Sequence, residues 1–258
     1  MKVLFGLLLF AGLSAVGQSN DISGLCMISV AHDKDRVDVM FRSNSCGDDE
    51  THNCSTSNNS GMAWSRWTGV SPDALKQEGA QLTARMSGEP GVLQCAGSVH
   101  DGVLAGKYEF TPNPAFVQKM AAMGFSEITP HRQEGFLMLD ITTGWVQQMK
   151  DDGVTELTTN KLMGLKALHV DHDYIRAMAA AGYPELRAGK LTEMKAVGVT
   201  PEKVRDAKAM GFQPTEQELI QMSIFKIDRP FVERMRAKGL TDLTVAKLIK
   251  VKIFKLDE

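Results

Sequence analysis

The chain has 258 residues, with 29 basic and 31 acidic side chains and a formal net charge of −2. Its one long apolar run lies at the N-terminus, residues 3–16, which excludes a bundle of membrane-spanning helices. The sequence also lacks a glycine-rich phosphate loop and a Gly-x-Ser-x-Gly elbow, so the common phosphate-binding and serine-hydrolase motifs are absent.

The N-terminus has the pattern of an export signal. Lys2 precedes the apolar run, and the small residues Ala15 and Gly17 stand at its end with one residue between them. This pattern predicts a secretory signal peptide over residues 1–17. The run is shorter than the roughly 20 residues of a comfortable membrane span, so we expect a periplasmic or secreted protein without stable membrane insertion after cleavage. A retained N-terminal anchor is the alternative.

All four cysteines lie in the first part of the chain, at Cys26, Cys46, Cys54 and Cys95. An even number of cysteines in an exported domain favours disulfides over metal binding or catalysis. Three pairings are possible. We predict Cys46 with Cys54, which closes a polar loop, and Cys26 with Cys95, which joins two apolar, strand-like stretches.

Residues 18–111 have the short, alternating apolar stretches that are typical of strands. These stretches are Leu25 to Val30, Val37 to Phe41, Gln81 to Met86, Val92 to Val99 and Val103 to Phe110. Asp101 and Gly102 predict a hairpin turn between the last two. Residues 48–60 are polar and predict an exposed, mobile loop. We therefore expect a small antiparallel β-domain of sandwich or barrel type.

Residues 112–258 contain a repeat marked by glycines at intervals of 29, 29, 29 and 28 residues. The glycines are Gly124, Gly153, Gly182, Gly211 and Gly239. Eight residues before each glycine stand Phe116, Trp145, Tyr174, Lys203 and Phe231, and four residues before it stand Met120, Met149, Met178, Ala207 and Met235. This spacing predicts one apolar stripe on a short helix, and the glycine suits a left-handed C-terminal cap.

A second helix is predicted after each glycine, with Thr158 and Thr244 as N-caps and Arg187 as a poor one. A helix pair of this size cannot bury its own apolar stripe, whereas stacked neighbours can. The sequence thus predicts an α+β protein: a small antiparallel β-domain followed by an array of about five helix-turn-helix units.

The segments Gly91 to Gly97, Asp101 to Phe116 and Leu191 to Val204 are similar to the strand–turn–strand and helical repeats in one bacterial family. That family is the antirepressor-type, beta-lactam-sensor-like membrane metallopeptidases, and the likeness is to their soluble C-terminal region. Their peptidase part carries a zinc-binding His-Glu-x-x-His motif, which this sequence lacks. The resemblance implies a sensing or interaction role outside the cytoplasm, by analogy of fold.

One cluster could carry chemistry: His169, Asp171, His172 and Asp173 offer four possible metal ligands within five residues. In register with the other units, however, Asp171 is a helix N-cap, and Asp173 in the first turn suits the helix dipole. Structural capping is therefore favoured, and a metal-dependent hydrolase that uses this cluster is the alternative function.

Two further groups have both a functional and a structural interpretation. Asp48, Asp49, Glu50 and His52 could hold a metal weakly, but their spacing does not match a calcium loop, which favours a solvated acidic loop. Trp64 and Trp67 could form a binding surface, but large aromatic residues more often fill a core.

Positive charge is concentrated in the last unit, where it could dock on an anionic surface or form the solvated face of a capping repeat. Export argues against nucleic acid as the partner. We expect a non-enzymatic, exported interaction or sensor module without a cofactor, which binds a protein or peptide partner through its helical repeats.

Overall fold

A computed structural model describes residues 22–43 and 56–256. The predicted signal peptide, the predicted Cys46–Cys54 pairing and the acidic group of Asp48, Asp49, Glu50 and His52 lie outside these residues. The described part begins with six strands: β1 (Ile22–Val30), β2 (Arg36–Ser43), β3 (Thr56–Ala63), β4 (Gln81–Gly88), β5 (Gly91–His100) and β6 (Val103–Pro112).

The six strands form one antiparallel sheet in the order β3-β2-β1-β6-β5-β4. Alternate residues of β1, β2 and the first half of β5 point to a buried inner face, as the period of two requires. The sheet is curled, and Thr68, which follows β3, exchanges two backbone hydrogen bonds with Arg85 of β4. The predicted β-domain is therefore confirmed as a curled sheet around a single core.

The predicted disulfide between Cys26 and Cys95 is present, with 6.0 Å between the Cα atoms. These cysteines lie on β1 and β5, with β6 between them. Because two strand spacings in a flat sheet measure about 9.5 Å, the sheet must bend sharply about β6. Gly97 and Gly106 face each other at this bend, and a Cβ on either would lie 2.0 Å from a backbone oxygen of the opposite strand. Glycine is required at both positions.

The prediction of a polar loop over residues 48–60 is wrong for its last five residues, because β3 begins at Thr56. This strand pairs with β2 at the edge of the sheet. Its first residues, Thr56 to Ser60, have no apolar alternation in the sequence. Backbone pairing to an existing edge needs no such alternation, so the pattern could not reveal the strand.

Two short 3-10 helices, Trp64–Arg66 and Ala74–Lys76, lie between β3 and β4, and from Pro114 onward the described chain forms ten α-helices of nine residues each. They are α1 (Pro114–Ala122), α2 (Pro130–Met138), α3 (Thr143–Asp151), α4 (Thr159–Ala167), α5 (His172–Ala180), α6 (Ala188–Ala196), α7 (Pro201–Ala209), α8 (Glu216–Ile224), α9 (Arg229–Ala237) and α10 (Val245–Ile253). The five predicted helix pairs, which we number as units one to five, are therefore confirmed.

The repeat glycines end the first helix of each unit, as predicted. All five have positive φ, between 79° and 102°. The residue after each glycine donates its backbone N–H back into the last turn; for example, Val154 donates to the Met149 carbonyl at 3.1 Å. The second helices end in the same way, although four of the five left-handed residues there are not glycine: Asp140, His169, Lys226 and Lys255.

Equivalent helices stack on one another. Among the second helices, α4 packs on α6, α6 on α8 and α8 on α10, and among the first helices α1 packs on α3 and α5 on α7. The apolar stripes of units three to five merge with part of unit two into one buried cluster, and Val146 and Leu162 of unit two pack instead with unit one. In unit one, α2 instead covers the sheet, and its Leu137 and Met138 belong to the β-domain core. No helix within the described ranges is both long and apolar enough to cross a membrane.

Gly153→Ala should test the left-handed caps. Its φ of +79° penalises a Cβ, so we expect the free energy of unfolding to fall by about 1–2 kcal/mol. Gly144→Ala is the matched control, because Gly144 lies in α3 and an added Cβ would meet no atom closer than Thr142 Oγ1 at 3.9 Å, and this change should add up to about 1 kcal/mol. Urea denaturation measures both. Equal effects of the two changes would contradict the assigned cap.

Candidate functional site

Three units share a pair of side chains that connects their two helices. An aromatic residue occupies the third position of the first helix, and a lysine at the eighth position of the second helix lies over its ring. The pairs are Trp145 with Lys166, Tyr174 with Lys195 and Phe231 with Lys252, at 4.9, 4.3 and 4.1 Å from Nζ to the ring centroid. At these distances each cation is attracted to the ring face. We call this the aromatic–lysine pair.

Units one and four lack the pair, for different reasons. In unit one the aromatic residue is Phe116, but the place of the lysine is taken by Leu137, which is buried against the sheet. In unit four Lys203 takes the place of the aromatic residue and Ser223 takes the place of the lysine, so neither helix supplies a ring. The absence of the pair from unit one is explained by the contact of α2 with the β-domain. Among the described residues, the helices of unit four pack on other helices and not on the sheet.

Lys203 and Ser223 form a short hydrogen-bonded chain where the pair would be. Lys203 Nζ donates to Ser223 Oγ at 3.1 Å, and Ser223 Oγ donates to the Val197 carbonyl at 2.6 Å. The chain uses one N–H of the ammonium group and leaves two.

A cavity of about 220 Å³ opens at this place, between α7, α8 and the start of α9. Its floor is apolar and includes Val199, Leu219, Met222 and Ile227, all of them buried. In register these residues match Val170, Leu191, Met194 and Val199 of unit three. The hydroxyl of Tyr174 donates to the Val199 carbonyl in that unit, so the unit-four cavity lies where its neighbour holds a tyrosine ring.

The rim of the cavity is charged. Asp206 is paired with Arg229 at 3.3 Å, and Asp228 caps α9 by accepting the Phe231 N–H at 3.0 Å. Lys203 and Lys226 also lie on the rim. Within the described residues neither forms an ion pair with a carboxylate. Of the five charged rim residues, three are cations and two are carboxylates, and the two lysines have no carboxylate partner among the described residues.

The His169–Asp173 cluster has separate structural roles. His169 is the left-handed residue that ends α4, with φ of 54°. Asp171 accepts the Tyr174 N–H at 2.8 Å as N-cap of α5, and Asp173 is exposed in the first turn. His172 Nδ1 lies 2.6 Å from Asp152 of the preceding unit. In the two described ranges no three side chains of His, Cys, Asp and Glu are grouped to hold a metal.

The His172–Asp152 contact has a counterpart in other units. In three first helices a basic residue at the eighth position donates to the backbone carbonyl at the end of the first helix of the preceding unit. The pairs are Lys150 with Met123, Lys208 with Ala181 and Arg236 with Met210. The eighth position of α5 is Ala179, which cannot donate. There His172 contacts the side chain of Asp152, the residue that ends α3. This contact joins two units.

The other predicted aromatic site belongs to the core. Trp67 is buried and stacks on Phe41, with ring centroids 6.4 Å apart. Trp64 is partly buried and packs against the same cluster. Filling of the β-domain core, the favoured interpretation of both residues, is therefore confirmed. In the basic last unit, Lys252 lies over Phe231 in the aromatic–lysine pair.

A second polar group lies where α2 meets the sheet. Tyr108 and Glu134 are both buried and interact electrostatically, and His131 Nδ1 lies 3.6 Å from Glu134 Oε2. Burial raises the pKa of Tyr108 to about 12 and also raises the pKa of Glu134. Nearby, Arg66 donates to the carbonyls of Leu137 and Met138. These contacts hold the helical array on the β-domain.

No protein-family model, curated protein sequence or solved structure matches this chain. The resemblance to the soluble region of beta-lactam-sensor-like metallopeptidases therefore remains a sequence-based prediction. The site must be interpreted from its own geometry.

Restoring the aromatic–lysine pair should fill the cavity. Lys203→Tyr with Ser223→Lys adds a ring over an apolar floor and a cation above it, so we expect the free energy of unfolding to rise by about 1–3 kcal/mol. The reverse exchange in unit three, Tyr174→Lys with Lys195→Ser, removes a buried ring and should lower it by about 2–4 kcal/mol. Urea denaturation compares them. A loss of stability in the restored variant would contradict the equivalence of the two units.

The buried carboxyl of Glu134 should make stability depend on pH. Because its pKa is raised in the folded state, its ionisation opposes folding: stability is greatest below the unfolded pKa and falls as pH rises through the folded pKa. Glu134→Gln should therefore unfold at higher urea concentration than wild type at pH 8, with the difference shrinking toward pH 4. A difference that stays constant from pH 4 to pH 8 would show that the group does not titrate in this way.

Proposed function

We propose that this protein is an exported, non-enzymatic binding module, which holds a protein or peptide partner on its helical array at the unit-four cavity. The observation that carries the proposal is the replacement of the aromatic–lysine pair by Lys203 and Ser223, which leaves an apolar hollow beneath available cations. Departures from an otherwise consistent pattern that bring no local gain in stability are expected at functional sites.

The surrounding structure supports a binding role. The hollow lies on stacked helices, and stacked repeats provide extended surfaces for partners. The floor residues are held by the core of the array, so the site is preformed and little ordering is needed when a partner binds. A mostly apolar hollow with a few polar groups at its edge has the composition of a ligand site.

Export is part of the proposal. The predicted signal peptide lies outside the described residues, but the Cys26–Cys95 disulfide is of the kind that persists in oxidising compartments. The alternative function, a metal-dependent hydrolase, receives no support from the geometry of the described residues. Asp171 and His172 contact separate structural partners, and no three possible ligands are grouped to hold a metal.

Selection of displayed random peptides on the wild-type protein tests the proposal. The matched control is the restored variant, Lys203→Tyr with Ser223→Lys, whose folding is verified by thermal unfolding. We expect the enriched peptides to bind wild type at least about tenfold more tightly than the variant, since the introduced tyrosine ring would occupy their place. Biolayer interferometry measures both affinities. Failure to enrich any peptide, or equal binding to both proteins, would contradict the proposal.

A further inference from the structure

The unit-four cavity has internal counterparts that indicate what fits it. Units two, three and five fill the equivalent position with Trp145, Tyr174 and Phe231 of their own first helices. The floor of the unit-four cavity keeps the same apolar positions as its neighbour, as Leu219 and Met222 match Leu191 and Met194. The hollow therefore retains the walls of a ring-binding position without a ring from its own chain.

The volume of the cavity is large enough for an aromatic ring. At about 220 Å³ it exceeds the roughly 150 Å³ of an apolar engineered cavity that takes up benzene. A single phenyl, phenol or indole ring is thus accommodated. Because the rim residues Lys203, Lys226 and Arg229 are exposed, a ring can enter from solvent.

The charges at the rim add a second requirement. Lys203 keeps two N–H groups after its bond to Ser223, and Lys226 is exposed at the end of α8. The rim has three cations and two carboxylates, and one of the carboxylates, Asp206, is paired with Arg229. An anionic group next to the ring would therefore meet a rim with one more cation than carboxylate, on which two lysines have no carboxylate partner among the described residues.

We infer, on the basis of the proposed binding function, that the cavity takes an aromatic side chain from an acidic segment of the partner. The ring lies on the floor of Val199, Leu219, Met222 and Ile227, and a carboxylate next to it contacts Lys203 and Lys226. The partner thus completes in unit four what Tyr174 and its equivalents do within their own units. A free aromatic carboxylate has the same chemistry and would use the same contacts.

Small probes separate the two requirements. The protein is titrated with N-acetyltryptophan, its amide and N-acetylleucine, and binding is followed by ¹H–¹⁵N NMR. We expect a Kd on the order of 0.1–1 mM for N-acetyltryptophan. The amide should bind about fivefold more weakly, a ratio that corresponds to about 1 kcal/mol for an exposed ion pair. N-acetylleucine should bind more weakly still, since it has no ring. Shifts should be confined to α7, α8 and the start of α9.

Protein variants locate the contacts. Lys203→Met and Lys226→Met should each reduce the preference for the acid over the amide, whereas Lys119→Met, an exposed lysine of unit one, should leave it unchanged. The restored variant, Lys203→Tyr with Ser223→Lys, should bind none of the probes. If N-acetylleucine bound as tightly as N-acetyltryptophan, the aromatic requirement would be overturned. If the amide bound as tightly as the acid, the anionic requirement would be overturned.

The outcomes also distinguish this inference from the function on which it rests. If displayed peptides bind at the cavity but the probes show no preference for an aromatic acid, the binding function stands and the inference fails. If the probes bind as expected and no peptide is enriched, the inference stands for a free aromatic carboxylate and the peptide partner is excluded. If neither binds, both fail.

Discussion

The array depends on one constraint: a unit of two nine-residue helices is too small to bury its own apolar stripe. Stacking equivalent helices solves this, and it makes the geometry of every unit depend on that of its neighbours. The five repeat glycines are needed for the same reason, since each reverses the chain at the point where the next helix must begin to stack. A fixed period follows, because equivalent side chains must meet at every interface.

Polar contacts give the stack its register. A basic residue at the eighth position of three first helices donates to the carbonyl that ends the preceding one, as in the Lys150 bond to Met123. Cations are favoured at helix C-termini, where the last carbonyls have no partner in the helix. The His172–Asp152 contact takes this place in unit three, which explains an arrangement that looks in sequence like a set of metal ligands.

The β-domain provides the fixed end of the array. Its core is sealed by Leu137 and Met138 of α2, so the first unit is shared between the two parts of the molecule. The Cys26–Cys95 disulfide holds the bend of the sheet on which α2 lies. In this setting the buried Glu134 is a structural group whose charge is costly, and no ligand is needed to explain it. Unit four lies in the interior of the stack. Its departure from the repeat, Lys203 and Ser223 in place of the aromatic–lysine pair, is therefore not explained by packing on the β-domain within the described residues.

Local rules account for what the sequence alone determined. The helix caps, the left-handed glycines and the 29-residue spacing follow from backbone sterics and short-range hydrogen bonds, so they could be predicted residue by residue. The substitution of Lys203 for an aromatic residue was also visible in the alignment of the units. Its consequence was not, because the cavity depends on Ser223 of another helix and on a floor from three segments. The β3 strand, the packing of α2 on the sheet and the His172–Asp152 contact likewise join residues far apart in the chain, and only the tertiary structure decides which of them meet.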